Sequence, residues 1–301
     1  MTKKQTISIV ICSFNRGQFI GEALDSLSKQ TLAPSLFEII IVNNNSTDNT
    51  ATVCKKFIDQ HPELDVKYVI ETNQGLSFAR NRGIAESKYN IITYIDDDAY
   101  AKPDFLELIF NYFTKHPDTA GIGGKVTPRY EIKEPNWMNK YLYGFVTKVD
   151  LGDDIKLFKK GEYPAGCNMT YRKDLLEQVG GFNNKLKWRA DDKYINFKIR
   201  EISDKIIYLP VLEVEHTIDA YRTSDENFKK LSWKFGSEES IRVRDEGLIS
   251  FLKKLIEFKF KLAGSFILLI QFYLKGEMAK GNKTFQYRWL ALMGLLFPKG
   301  N

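Results

Sequence analysis

Three carboxylates stand side by side at Asp96, Asp97 and Asp98, directly after the run Ile91-Ile92-Thr93-Tyr94-Ile95. That β-branched and aromatic run reads as a buried strand, which puts the acids at its carboxyl end. Three adjacent like charges repel one another unless a cation binds among them. Hard oxygen ligands with no Cys or His beside them suit Mg2+ or Mn2+, carried in by a phosphate-bearing substrate. A solvated acidic turn is the alternative, and it is what most charge runs are. Position favours the site, because ligands of α/β proteins bind outside the carboxyl ends of the strands.

The elements that must hold these acids alternate. Residues 7–12 read as a buried strand closed by Ser13-Phe14-Asn15-Arg16-Gly17, and Ile20, Ala23, Leu24 and Leu27 follow at helical spacing. A second strand, 37–42, runs into Asn43-Asn44-Asn45-Ser46-Thr47-Asp48, where Ser46 or Thr47 is the expected N-cap of the next helix. Residues 66–70 form a third strand, 76–86 a helix, and the acidic strand is the fourth. Such alternation means right-handed βαβ units and a mostly parallel sheet flanked by helices. Neither Gly-x-Gly-x-x-Gly nor a Walker pattern follows the first strand, so a nucleotide would be held by Asn, Ser and Asp side chains.

Beyond the triplet, Pro103 opens a helix and 120–125 reads as a strand. Residues 127–161 are rich in aromatic and turn residues, which suits a lid or acceptor wall, or equally a peripheral aromatic core. A short strand near 164–172 enters a helix that ends at Gly180-Gly181. A helix over 193–200 follows Asp191-Asp192, a pair that by itself suits a helix N-terminus favoured by the dipole. Strands at 206–209 and 211–215 end at His216, and a polar helix covers 225–246.

The bulk properties narrow the class. A chain of 301 residues can bury a full core. Cys12, Cys54 and Cys167 are scattered, so neither a zinc site nor a disulfide framework is expected. With no apolar leader after Met1, a cytoplasmic location is expected. The net charge is +6, and from Phe251 onward nine basic residues face two acids, so the excess lies in the tail and nucleic acid is not an expected partner. That tail contains an apolar run from Leu262 to Leu274, too short to span a bilayer. Lysines 253, 254, 259 and 261 precede it, which suits an anchor lying on an anionic membrane surface. A buried helix pair or an oligomer contact is the alternative.

Taken together, the segments Ser8 to Arg16, Ile40 to Asp48, Asn73-Gln74-Gly75, Ala79-Arg80-Asn81-Arg82-Gly83, Tyr94 to Asp98, Gly166-Cys167-Asn168-Met169, Gly180-Gly181-Phe182, Asp191-Asp192 and His216 resemble the family-2 glycosyltransferases. The resemblance covers roughly 6–222. It implies a GT-A (Rossmann-like) α/β fold over 1–224, with a nucleotide-sugar half at 1–125 and an acceptor half at 126–224. Residues 225–301 would be a basic helical extension.

The roles it implies fall on numbered positions. Ser13, Phe14, Asn15, Asn43 and Asn45 would wrap the nucleobase and ribose, with Arg80 near the nucleotide. Asp97 would face the ribose or sugar, Asp98 would hold Mg2+ or Mn2+, and Asp96 would orient its neighbours. Asp192 matches the general base, with Asp191 beside it, and His216 matches a histidine that reaches the metal or the diphosphate. Asn168 and Trp188 are the acceptor-side candidates; Trp188 suits a core residue as well as a sugar platform. The family usually has Asp where this chain has Asn43. An amide carbonyl still accepts from a pyrimidine N3–H, so a UDP or dTDP sugar is the expected donor. The implied reaction is a single displacement with inversion, passing a sugar to a saccharide or lipid-linked acceptor. A sugar-1-phosphate nucleotidylyltransferase would want a glycine-rich basic loop after the first strand; a non-catalytic nucleotide-sugar-binding subunit would show no turnover.

Overall fold

The computed structural model describes residues 5–185, 191–245 and 247–298. Internal contacts divide the chain into two compact units, one running to Thr127 and resuming over Val149–His216, the other comprising Pro128–Lys148 and the chain from Thr217 onward. The sequence draws its boundary at 224/225 and leaves 128–148 with the first part.

The first unit is built as strand and helix in turn: β1 (Ile7–Ser13), α1 (Gly17–Ser28), β2 (Phe37–Asn43), α2 (Thr50–Gln60), β3 (Val66–Ile70), α3 (Leu76–Glu86) and β4 (Ile91–Asp96). β1 and β2 are buried along nearly their whole length, which explains why their sequences are apolar without alternation. Then come β5 (Ala99–Ala101), α4 (Phe105–Lys115), β6 (Gly121–Tyr130), β7 (Lys156–Leu157), β8 (Met169–Arg172), α5 (Lys173–Gln178), α6 (Asp191–Arg200) and β9 (Ile206–Ile218). The sheet order is β3-β2-β1-β4-β8-β6-β9-β5, with β7 paired to β9. It is parallel from β3 to β4, as the βαβ pattern requires, and antiparallel where β8 meets β4 and β6. One apolar layer gathers Ile9, Leu24, Phe37, Phe105 and Phe113, and the other Val10, Ile40, Tyr94, Tyr171 and Phe182.

Three local readings change. Ser46 and Thr47 do not cap α2, which begins at Thr50 after Asn49, because both are engaged with the preceding loop (below). The fourth strand stops at Asp96, so Asp97 and Asp98 form a turn into β5, a strand too short to leave a periodic signature. The two strands at 206–209 and 211–215 are one, β9, running through Pro210; the fixed φ of proline is compatible with extended backbone and only one ladder donor is lost.

The helical unit contains α7 (Asp225–Asp245), α8 (Leu248–Leu274) and α9 (Met278–Leu296). Its core joins Met138, Leu142 and Val146 to Phe228, Phe258 and Leu295. The Asn139 amide also donates to Thr284 Oγ1 at 3.1 Å, which ties the 128–148 segment to α9. A Cβ at Gly236 would strike the Ala291 carbonyl, and one at Gly294 the Trp233 carbonyl, so glycine lets α7 and α9 lie close. The apolar run 262–274 lies in α8 and packs along one side on α9, where a Cβ at Gly281 would come within 3.0 Å of the Leu269 side chain. Among the described residues no helix is long and apolar enough to cross a membrane.

Candidate active site

Strand order locates the site. β2 and β3 lie to one side of β1 and β4 lies to the other, so the winding direction reverses between β1 and β4 and opens a crevice at their carboxyl ends. Parallel register brings Cys12 opposite Asp96 and Ser13 opposite Asn43. Antiparallel pairing of β5 with β9 sets His216 against Ala99, the residue after the acidic triplet. Residues from three distant stretches thus meet at one end of the sheet.

The three acids have distinct partners. Asp97 is buried and accepts a hydrogen bond from Ser13 Oγ at 2.6 Å. Burial, then the neighbouring Asp98, push its carboxyl up to about 8, against the pull of Ser13 and Arg16. Asp98 is buried between two cationic or imidazole groups, Arg16 Nη2 at 3.2 Å and His216 Nε2 at 3.1 Å. Asp96 is more open and lies 3.3 Å from Arg80 Nη2; burial raises its carboxyl while Arg80 opposes the rise.

Arg80 is a buried bridge rather than a surface arginine. Its side chain is 3 % exposed and pairs with Asp191 through Nη1 and with Asp96 through Nη2, and it also donates to the Gly166 carbonyl at 3.3 Å. Tyr94 and Phe182 offer ring faces to the guanidinium at 5.9 and 5.5 Å. Burial works against its charge, yet Asp191 and then Asp96 outweigh that and hold it protonated. A Cβ at Gly166 would come within 2.6 Å of Nη2, so this glycine makes room for the bridge.

Asp191 and Asp192 both lie in the first turn of α6, where the helix dipole favours carboxylates. Asp191 is committed to Arg80. Asp192 accepts from the Lys193 backbone N–H at 2.7 Å; burial first, then the Asp191 charge, raise its carboxyl to about 6, with Arg80 pulling the other way. A carboxylate so tuned is ionised near neutrality yet basic enough to take a proton.

The loops after β1 and β2 clasp each other. Asn15 N donates to Ser46 Oγ at 3.0 Å and Thr47 N to Asn15 Oδ1 at 2.8 Å, while Asp48 accepts from Gly17 N at 3.0 Å. Asn15 and Asn45 take positive φ, 53° and 60°, a conformation asparagine tolerates better than most residues. Phe14, at 40 % exposure, offers a free ring on this rim. Asn43 is buried, its amide N donating to Tyr68 Oη at 2.6 Å and its oxygen accepting from Ser46 N at 2.8 Å. One lone pair of that oxygen is thus already used within the loop.

Of the acceptor-side candidates, Asn168 makes none of its side-chain hydrogen bonds to the cluster. Asn168 is fully buried and its amide donates to the Lys125 and Leu212 carbonyls at 3.0 and 2.9 Å, a framework role fastening β6 and β9. Trp188 lies outside the described residues. Conversely, Arg16 and Cys167 sit at the triplet although the sequence gives them no role; both stand inside quoted motifs, next to Asn15 and Gly166.

Donor atoms of Asp96, Cys167 and His216 lie within 4.8 Å of one another. Burial, and then the charges of Asp96 and Asp98, push the Cys167 thiol far above its ordinary range, which makes it a poor ligand. Asp96 and His216 remain, with Asp98 beside them at 3.1 Å from His216 Nε2, and oxygen and imidazole donors of this kind fit Mn2+ or Mg2+ better than a thiophilic ion.

Residues 8–180 match the family model of glycosyl transferase family 2. The glucosyl-dolichyl phosphate glucuronosyltransferase of Haloferax volcanii is 27 % identical over 235 residues, 72 % of this chain and 71 % of that protein. Among solved structures, the mannosyltransferase PcManGT of Pyrobaculum calidifontis, in complex with GDP-Man and Mn2+, matches with a TM-score of 0.68 at 16 % identity, over 99 % of this chain and 89 % of that one. S. aureus TarS 1-349 in complex with UDP matches with a TM-score of 0.56 at 18 % identity; 76 % of this chain is covered, and the match spans 64 % of TarS 1-349, under two thirds.

Proposed function

The chain belongs to glycosyl transferase family 2, and we propose that it moves a sugar from a nucleoside-diphosphate donor to a saccharide or lipid-linked acceptor by one inverting displacement. The family makes it a glycosyltransferase with a GT-A fold; the donor, the ion and the residue roles are our reading. The observation that carries this reading is the pairing of two differently tuned carboxylate groups, the triplet clustered with His216 and the separate Asp192.

Ser13 orients Asp97, and Arg16 balances the charge of Asp97 and Asp98. The rim of Phe14, Asn15 and Asn45 receives the nucleobase and ribose. Asp98, Asp96 and His216 would hold Mn2+ or Mg2+, which supplies neutralisation of the charge that builds on the departing diphosphate. Asp192 takes the proton of the acceptor hydroxyl, and Asp191 is held away from that task by Arg80. Only one base is needed for a single displacement, which supports inversion over a covalent intermediate. Because the Asn43 oxygen is partly occupied, the choice between uridine and another base rests with the rest of the rim.

A thermal-shift screen of UDP-, dTDP- and GDP-sugars tests the reading. One donor should raise the melting temperature with Mn2+ present and do so far less after chelation, since a ligand that binds only the native state stabilises it. No shift with any nucleotide sugar would contradict it.

A further inference from the structure

We infer that α8 is a membrane-docking helix that lies along an anionic lipid surface. Ile249, Leu252, Ile256, Phe260, Ile267 and Ile270 recur at spacings of three, four or seven residues, which keep them on one helix face, and all are exposed, Phe260 at 75 %. Leu274 extends the same stripe and is 78 % exposed. Phe258 and Ser265 are buried, so the helix has a core-facing side and its apolar stripe lies on another. A helix with one stripe against its own core ordinarily turns charge outward; this one turns isoleucine and phenylalanine outward, over a length of about 40 Å at 1.5 Å per residue.

Charge selects the partner. At 100° per residue, Lys253 and Lys259 fall on opposite borders of the stripe, both exposed and with no carboxylate partner among the described residues. Glu257 is the only acid in the helix, and Lys254 and Lys261 pair with it. A symmetric contact between two copies along this stripe would bring lysine borders together without the complementary charges that flank paired helices. Anionic headgroups meet both borders with opposite charge while the stripe enters the acyl boundary. Since no described helix can cross a bilayer, the helix would lie in the interface. This inference takes from the proposed function only the reason a lipid-linked acceptor would make such docking useful.

The test is flotation of the full chain with phosphatidylcholine vesicles, with and without phosphatidylglycerol, alongside Ile256→Ser/Phe260→Ser/Ile267→Ser and Lys253→Glu/Lys259→Glu. The intact chain should float with the anionic vesicles, and each variant should bind them about tenfold or more weakly. Circular dichroism and donor hydrolysis in solution are read on the same preparations, so that a misfolded variant or a failed enzymatic reading shows separately from lost lipid binding. Equal flotation of the folded variants and the intact chain overturns the inference, as does no flotation of the intact chain. A dimer in light scattering that the variants convert to monomer, with no vesicle binding, overturns it in favour of self-association.

Discussion

Asp192→Asn should lower the transfer rate by about 10²–10⁴-fold, the usual contribution of a positioned general base, while leaving donor binding nearly unchanged. The parent enzyme should show an acid limb in kcat/KM near pH 6, because the carboxyl raised to about 6 by burial and by Asp191 must be ionised to accept a proton. Activity is therefore full above that pH and falls as pH drops through it. Stability should run the other way. The folded-state value lies above the ordinary carboxylate range, so the ionised group disfavours the fold above about pH 6 and the penalty is relieved as pH falls. Asp192→Asn should accordingly be at least as stable as the parent at pH 8, measured by urea unfolding. A variant that is both inactive and markedly less stable would point to a structural carboxylate instead.

Arg80→Met should destabilise the protein by about 3–5 kcal/mol, because it leaves the buried Asp191 and the partly buried Asp96 without their shared cation. The loss should be smaller at low pH, where the stranded carboxyls protonate. Arg80→Met/Asp191→Asn should recover part of the stability, since one of the two stranded charges is removed. A second readout separates the bridge from a purely structural part. Arg80 lowers the Asp192 value, so the acid limb of whatever activity survives should move upward from about pH 6. An unmoved limb would mean that Arg80 does not tune the base.

What the sequence made legible follows from how each element is specified. β1, β2 and β4 are apolar because both faces are covered, and that continuous signal, broken by Asn and Asp at the strand ends, marks the strands and the crevice together. The triplet was readable because adjacent like charges demand a reason. The bridge was not: Arg80 and Asp191 lie 111 residues apart, and nothing in either neighbourhood announces the other. Arg16 and His216 meet Asp98 over similar separations, and Cys167 reaches the cluster only because β8 pairs antiparallel with β4. Asn168 differs from these. It lies within a motif that resembles a site, and its amide nitrogen is held by two backbone carbonyls, contacts that the motif does not announce. In the tail, the apolar run showed its composition but not that one side of it packs in a helix pair while another stays exposed.

In the proposed reaction the Asp96–Asp98 end of β4 holds a nucleoside diphosphate through a divalent ion. Calorimetric titration of UDP and GDP into the full chain with Mn2+, set beside Asp98→Asn, measures that contact. At least one nucleotide should bind the parent with Mn2+, and Asp98→Asn should weaken it by about 10–100-fold or more, since losing even an outer partner of an ion ligand costs that much. Equal affinity in the folded variant, or equal affinity of the parent with and without Mn2+, would contradict it.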